Sequence, residues 1–371
     1  MDVGRAAAQA RVHGRFEEDF VLDHRMDQDS RGSGNPNLAY ALKIVHATCC
    51  LAGSASYLDD IRADLCDCGI SRAVRDHDTP VLFDWLVEAL SFQGISDAVA
   101  AGYMDQHGSV RWAEIAEALS RNPTCPKLGG YWRFYNCRYR KGSRTCSEPG
   151  HFDACALPRH PLRNGHLNQM AYSLFLFMRD VADDDFVGWI DRQLGAVDPD
   201  SPDRLAACRE VIIGPLRNVY GVADKVLAMA LSSLLLGAGK RRPLWVEVGA
   251  TFVAVDTLVH NFLHRTGILR RLCADHPYGD RCYLPGGCAG ILGLLAANID
   301  AREFNPAFPA TFPRFVQSAI WRYCAENGLD VCNGNRIDDD TRCDNGHCQL
   351  FRRCDRIALR KTRENRVKSM I

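Results

Sequence analysis

The stretch Leu216-Arg-Asn-Val-Tyr-Gly-Val-Ala-Asp-Lys-Val226 joins two segments of helical periodicity through a short turn. The first segment opens at Ser201-Pro-Asp203, and Gly214-Pro215 ends or kinks it, because proline has no N–H and its ring crowds the preceding turn. The second runs from about Asp224 to Leu236. Gly221 can take the positive φ that a side chain would resist, which suits a tight reversal. N–H groups exposed at the start of the second helix could hold a phosphate oxygen, directly or through a bound cation. Such a grip positions a nucleic acid without reading its sequence. An ordinary helical hairpin carries the same signature, so the turn alone does not decide the function.

Working outward, helical spacing recurs along the chain. One pattern covers about Leu38 to Leu51 and another about Tyr57 to Leu65. His77-Asp-Thr-Pro80 is a helix start, with Asp78 or Thr79 to cap and Pro80 suited to the first turn. Leu82, Trp85, Leu86, Ala89 and Leu90 then form one apolar face, and Trp112, Ile115, Ala116 and Leu119 form another. Helices resume near Leu167 and Phe186, and Lys240 to Trp245 reads as an exposed loop. Strand-like alternation is scarce, and the short run Phe252-Val-Ala-Val255 fits either type. The expected fold class is all-α. Residues 1–37 end in the breaker-rich Asp29-Ser-Arg-Gly-Ser-Gly-Asn-Pro-Asn37 and read as a flexible lead-in.

The chain has 371 residues, 47% of them hydrophobic, enough for one large core or two modest ones. Its formal net charge is zero, so a nucleic-acid partner would need a local basic patch. Arg356, Arg360, Lys361, Arg363, Arg366 and Lys368 offer one near the end. There are seventeen cysteines. Met1, Asp2 and Arg5 show no apolar core of a signal peptide, and no stretch reaches the roughly 18 apolar residues of a membrane span. The expected compartment is the reducing cytoplasm, where clustered thiols point to metal or redox cofactors rather than disulfides.

The second landmark is Phe252-Val-Ala-Val-Asp-Thr-Leu-Val-His260. Asp256 follows four apolar residues and precedes a helical pattern, which places a carboxylate at a helix N-terminus. Hairpin and aspartate together resemble the helix-hairpin-helix DNA glycosylases of the endonuclease III type, with their Leu-Pro-Gly-Val-Gly-x-Lys and Val-Asp-Thr-x-Val motifs. The resemblance implies that Lys225 is the amine nucleophile and Asp256 its carboxylate partner. It further implies that Gln93, in Leu90-Ser-Phe-Gln93, enters the gap left by the extruded base, and that Gly221 and Ala223 meet the DNA backbone. Ala223 replaces a usual glycine and Tyr220 a usual proline, and the stretch from Lys225 to Asp256 is longer than in the family. These departures mark a divergent branch.

The residue types suit the chemistry. A neutral lysine amine can attack C1′ and form a Schiff base, whose collapse permits strand cleavage. A lysine in the first turn of a helix is pushed toward the neutral form by the dipole and by desolvation. An aspartate can relay the proton and offset positive charge on the sugar. The base must leave the stack to be reached.

Cys332, Cys343, Cys348 and Cys354 lie where endonuclease III-type enzymes hold a [4Fe–4S] cluster, and the closing five-residue gap is the same. The other gaps, ten and four residues, are longer than the family's. Tetrahedral zinc is the competing occupant, and Cys324 a substitute ligand. A loop fixed there would present Arg336, Arg342, Arg352 and Arg353 to phosphates. The basic, aromatic segment 121–165 holds Cys125, Cys137, Cys146 and Cys155, a candidate zinc set that could equally be a metal-free loop. Cys273, Cys282 and Cys288 form a third group to which no single metal can be assigned. Cys49, Cys50 and Cys208 read as core, and the His260/His264 pair, although spaced for a metal, as packing or phosphate contacts.

The family layout implies a helical barrel over 76–251, with an insert at 121–165 and the hairpin at about 205–237. A discontinuous second part would join 38–75 to 252–371 and carry the cluster. The expected activity is a DNA glycosylase with AP lyase activity, acting as a monomer on double-stranded DNA that contains a damaged or modified base, with no membrane partner. A monofunctional glycosylase using Asp256-activated water and a non-catalytic iron–sulfur DNA-binding protein are the alternatives. DNA repair and restriction of modified phage DNA both fit.

Overall fold

The computed structural model describes residues 35–91, 108–121, 125–135, 145–146 and 166–360, with 99, 102, 105–106, 137 and 139–140 between them. Gln93 and Cys155, and the side chain of Cys146, lie outside what is described. The described residues are helical apart from one two-residue strand pair, as the periodicity led one to expect. The described residues form α1 (Pro36–Ala52), α2 (Tyr57–Asp67), α3 (Ile70–Asp76), α4 (Thr79–Ser91), α5 (Trp112–Ser120) and α6 (Tyr131–Phe134). After a two-residue antiparallel pair, Tyr139–Arg140 with Thr145–Cys146, come α7 (His166–Asp180), α8 (Phe186–Gly195), α9 (Arg204–Leu216), α10 (Asp224–Gly237) and α11 (Pro243–Thr251). The remainder is α12 (Thr257–Arg265), α13 (Ile268–Arg271), α14 (Cys288–Ala296) and α15 (Pro313–Cys324).

Capping chemistry sets several of these boundaries. Asn35 accepts hydrogen bonds from Asn37 N and Leu38 N at the head of α1, and Asp185 accepts one from Gly188 N at the head of α8. Each satisfies a backbone N–H that the helix itself cannot. Pro215 sits within the last turn of α9, and the helix stops at the next residue. Phe252–Val255 forms no regular element but is buried throughout, bridging α11 to α12 as an extended run.

Buried apolar side chains fall into two clusters. The first is built from α2 to α11, from Leu65 and Val74 through Phe83, Phe177 and Leu231 to Trp245. The second joins α1 to α12–α15 and the C-terminal loop, through Ile44, Phe262, Leu292, Phe315 and Leu350. Packing divides within α2: Leu58 belongs to the second cluster and Leu65 to the first, so the change falls upstream of residue 76. The α10–α11 pair stands between the clusters. Its close approach depends on Gly249, where a Cβ would meet Leu235 Cβ at 2.9 Å and Leu236 N at 3.0 Å. Ser232 Oγ donates to the Gly249 carbonyl at 2.9 Å across the same contact.

Within the 121–165 segment, Leu128, Tyr131 and Phe134 are buried in the first cluster, with Tyr131 packed edge-on against Phe177. One sequence expectation needs correcting: Lys240 to Trp245 is not an exposed loop. Gly239–Arg241 is a 3-10 turn leading into α11, and Trp245 is buried with its indole N–H on Asp191 at 2.6 Å.

Candidate functional site

The hairpin is held by charge as well as by its turn. Arg217, at the end of α9, donates to both carboxylate oxygens of Asp224 on α10 (3.0 and 3.2 Å) and to Glu210 (2.6 Å). Gly221 has φ +73°, and nothing lies within 4 Å of where its Cβ would stand, so conformation rather than crowding demands glycine there. Tyr220 N donates to Ser173 Oγ at 3.1 Å and ties the turn to α7. Gly221 and Ala223 are exposed, and Lys225 is half-buried in the first turn of α10.

Asp256 is the N-cap of α12, where its Oδ1 accepts from Val259 N at 2.9 Å. Two tyrosines from the 272–287 connection surround this helix start. The Tyr283 hydroxyl accepts from Val255 N at 2.8 Å and donates to Val255 O at 3.3 Å. Burial pushes the Tyr283 phenol up, and the charges of Tyr278 and Asp224 push it further. One phenol therefore touches the residue before Asp256 and feels the charge of the residue before Lys225. Tyr278 is half exposed; burial and then the Asp256 carboxylate raise its phenol.

Cys332, Cys343, Cys348 and Cys354 all line one small pocket, together with Arg265 and Arg356. Burial and the other three thiols push Cys354 up to about 12. Burial likewise raises Cys348, with Cys332 and Cys343 adding. Cys348 Sγ lies 3.1 Å from the Tyr323 hydroxyl, and Arg356 N donates to Cys354 Sγ at 3.3 Å. Arg265 is buried and paired with Asp339, while its Nη1 has no hydrogen-bond partner among the described residues. Cys324 is not among the residues lining the pocket; its thiol, followed by the Arg265 charge, holds Cys332 below the usual thiol range. Arg342, Arg352 and Arg353 are exposed on the same loop.

The fold also brings together a group that spacing did not reveal. His260, His276, Cys282 and Cys288 have one ligand atom each within 4.8 Å of all the others, and such a group could hold a metal ion. His260 Nδ1 is 3.3 Å from Cys288 Sγ and 3.6 Å from Cys282 Sγ; His276 Nε2 is 3.4 Å from Cys288 Sγ. The Cys288 thiol, followed by the imidazoles, holds Cys282 well below the ordinary thiol range, while Cys288 is pushed up by its bond to Cys282 and by burial. Cys273, expected alongside Cys282 and Cys288, is exposed and outside the group, and the half-buried His264 is outside it too. Cys49 and Cys208 are buried as expected, but Cys50 is exposed, with its thiol 3.7 Å from His46.

In the 121–165 segment, Cys125 and Cys137 are partly buried against the first cluster, and Gln169 Nε2 donates to Cys137 Sγ at 3.4 Å. No protein-family model, curated protein or solved structure matches this chain.

Proposed function

We propose that this protein is a DNA glycosylase of the helix-hairpin-helix superfamily, related to endonuclease III, with the α9–α10 hairpin as its DNA-backbone grip. The observation that carries the reading is a joint placement. Lys225 lies in the first turn of α10 behind a positive-φ glycine, Asp256 caps α12, and Tyr283, bonded to Val255, feels the charge of Asp224. The substrate is double-stranded DNA with a damaged or modified base, which leaves the stack to be reached.

In this reading Asp256 takes a proton from the Lys225 ammonium, and the free amine attacks C1′ as the glycosidic bond breaks and the base departs with its electron pair. Ring opening gives a Schiff base to Lys225, and loss of a C2′ proton then expels the 3′ phosphate, nicking the strand. The capping role of Asp256 does not compete with this role, because Val259 N occupies only one carboxylate oxygen.

A [4Fe–4S] cluster fits the C-terminal cysteines. All four cysteines line one pocket, and the buried cation Arg265 lines it with them. A tetrathiolate cluster with net negative charge would join Asp339 in offsetting that charge, which is otherwise costly to bury. Cys332, Cys343, Cys348 and Cys354 would hold it, and its contribution is to fix the loop bearing Arg342, Arg352 and Arg353. Cys125, Cys137, Cys146 and Cys155 stay a candidate zinc set, half of it outside the described side chains.

A panel of duplexes carrying different modified bases, scored separately for base release and nicking, tests the proposal. Release from at least one duplex, lost in Asp256→Asn, is expected. Release retained in that variant would overturn the site. Release with no nicking would reassign Asp256 to activating water and leave Lys225 without a covalent role.

A further inference from the structure

We propose that His260, His276, Cys282 and Cys288 hold a zinc ion that fixes the 272–287 connection against the start of α12. Zinc binds thiolate sulfur at about 2.3 Å and imidazole nitrogen at about 2.0–2.1 Å, so a tetrahedral site has sulfur-to-nitrogen edges near 3.5 Å. Three of the four sulfur-to-nitrogen edges, at 3.3, 3.4 and 3.6 Å, match that spacing.

The ring orientations suit the same ion. His276 Nδ1 lies 2.6 Å from the Ala274 carbonyl and donates to it, which leaves Nε2 as the lone-pair nitrogen facing Cys288. A backbone carbonyl on the far side of a ligating imidazole is the usual outer-shell partner in zinc sites. Cys282 and Cys288 are fully buried, and His260 nearly so. Any thiol proton still present leaves to solvent on binding, and one Zn²⁺ with two thiolates and two neutral imidazoles carries no net charge. A neutral unit suits an apolar interior, where an unpaired thiolate would be costly.

Four protein donors leave no open position, so the ion is structural rather than a Lewis acid for substrate. Its ligands come from α12, from the connection and from the first residue of α14. The connection has only the 3-10 turn Asp280–Tyr283 as regular structure, and a loop this long needs another source of order. The ion supplies it, and with it the positions of Tyr278 and Tyr283. His260 N also donates to the Asp256 carbonyl at 3.0 Å, so a ligand stands one turn from the capping carboxylate.

Zinc K-edge absorption on the full-length protein, grown zinc-replete and purified without chelator, reads this site without any activity assay. The expected result is a zinc shell that includes two sulfurs and two nitrogens, with about one zinc per chain lost in Cys282→Ser. Cys282→Ser should lose the zinc and keep the iron, Cys348→Ser should do the reverse, and Cys273→Ser should lose neither. Absence of zinc in the wild type, or a zinc shell without nitrogen, overturns the proposal even if Cys282→Ser fails to fold. The glycosylase reading is untouched by either outcome.

Discussion

The C-terminal loop and the segment from Asp256 to Cys288 both gather thiols in the second cluster, yet they differ in how the chain delivers them. Cys332, Cys343, Cys348 and Cys354 come from one continuous, irregular stretch, and they surround a cavity. His260, His276, Cys282 and Cys288 come from a helix, a connection and a second helix, and they meet almost in contact. A single stretch announces its ligands by spacing. A site assembled from separate elements emerges only when the fold closes. The two arrangements also suit different guests: four thiols spread around a pocket suit a multi-atom cluster, a tight mixed group one small ion.

The largest effect should come from Asp256. Asparagine caps helices as well as aspartate, so Asp256→Asn should leave the melting temperature almost unchanged. Base release should nevertheless fall by about 10²–10⁴, the usual worth of a positioned proton-transfer group. Calorimetry beside the glycosylase assay separates the two roles, and a large drop in melting temperature would show that the carboxylate is chiefly structural.

Arg265 joins the two regions, since it ends α12, pairs with Asp339 and faces the thiol cavity. Arg265→Met should destabilise the protein by about 3 kcal/mol, the lower end for breaking a buried pair, because Asp339 keeps some access to water. Urea unfolding measures this, and iron content should fall with it. Unchanged stability and iron would mean that the two regions are independent.

How much of this was legible in the sequence depended on where the signals lay. Caps and apolar spacing placed the helices well, and the apolar run before Asp256 marked it as a helix start. Cys273 misled, being as well spaced as Cys282 from Cys288 but turned outward in an aperiodic connection. His276 has no apolar pattern around it, and only burial shows that His260 faces the thiols. Leu128, Tyr131 and Phe134 recur every third residue, a helical signal obscured by the basic and aromatic residues among them.

Arg352 and Arg353 offer a smaller effect on the loop side of the comparison. Each changed to Ala should weaken DNA binding similarly on all sequences and lower the slope of log affinity against log salt by about 1. Fluorescence anisotropy at several salt concentrations reads this. An unchanged slope would remove the cysteine loop from the DNA interface.

The smallest effect concerns His264, which shares α12 with His260 but not its partners. Burial lowers its pKa, and Nδ1 has no hydrogen-bond partner among the described residues. The unfolded chain therefore binds this proton more readily than the native one. Stability from this group is full above the unfolded histidine pKa of about 6.5 and is lost as pH falls from there through the folded value. Melting curves should decline across that window for the wild type and less for His264→Gln. Equal declines would show that the pH sensitivity lies elsewhere.

The central claim rests on Lys225 and Asp256 acting on one sugar. Borohydride trapping on DNA with a single abasic site tests it most directly. The account predicts a covalent protein–DNA adduct with the wild type and none with Lys225→Gln. An undiminished adduct in the variant, or none with the wild type, would contradict it.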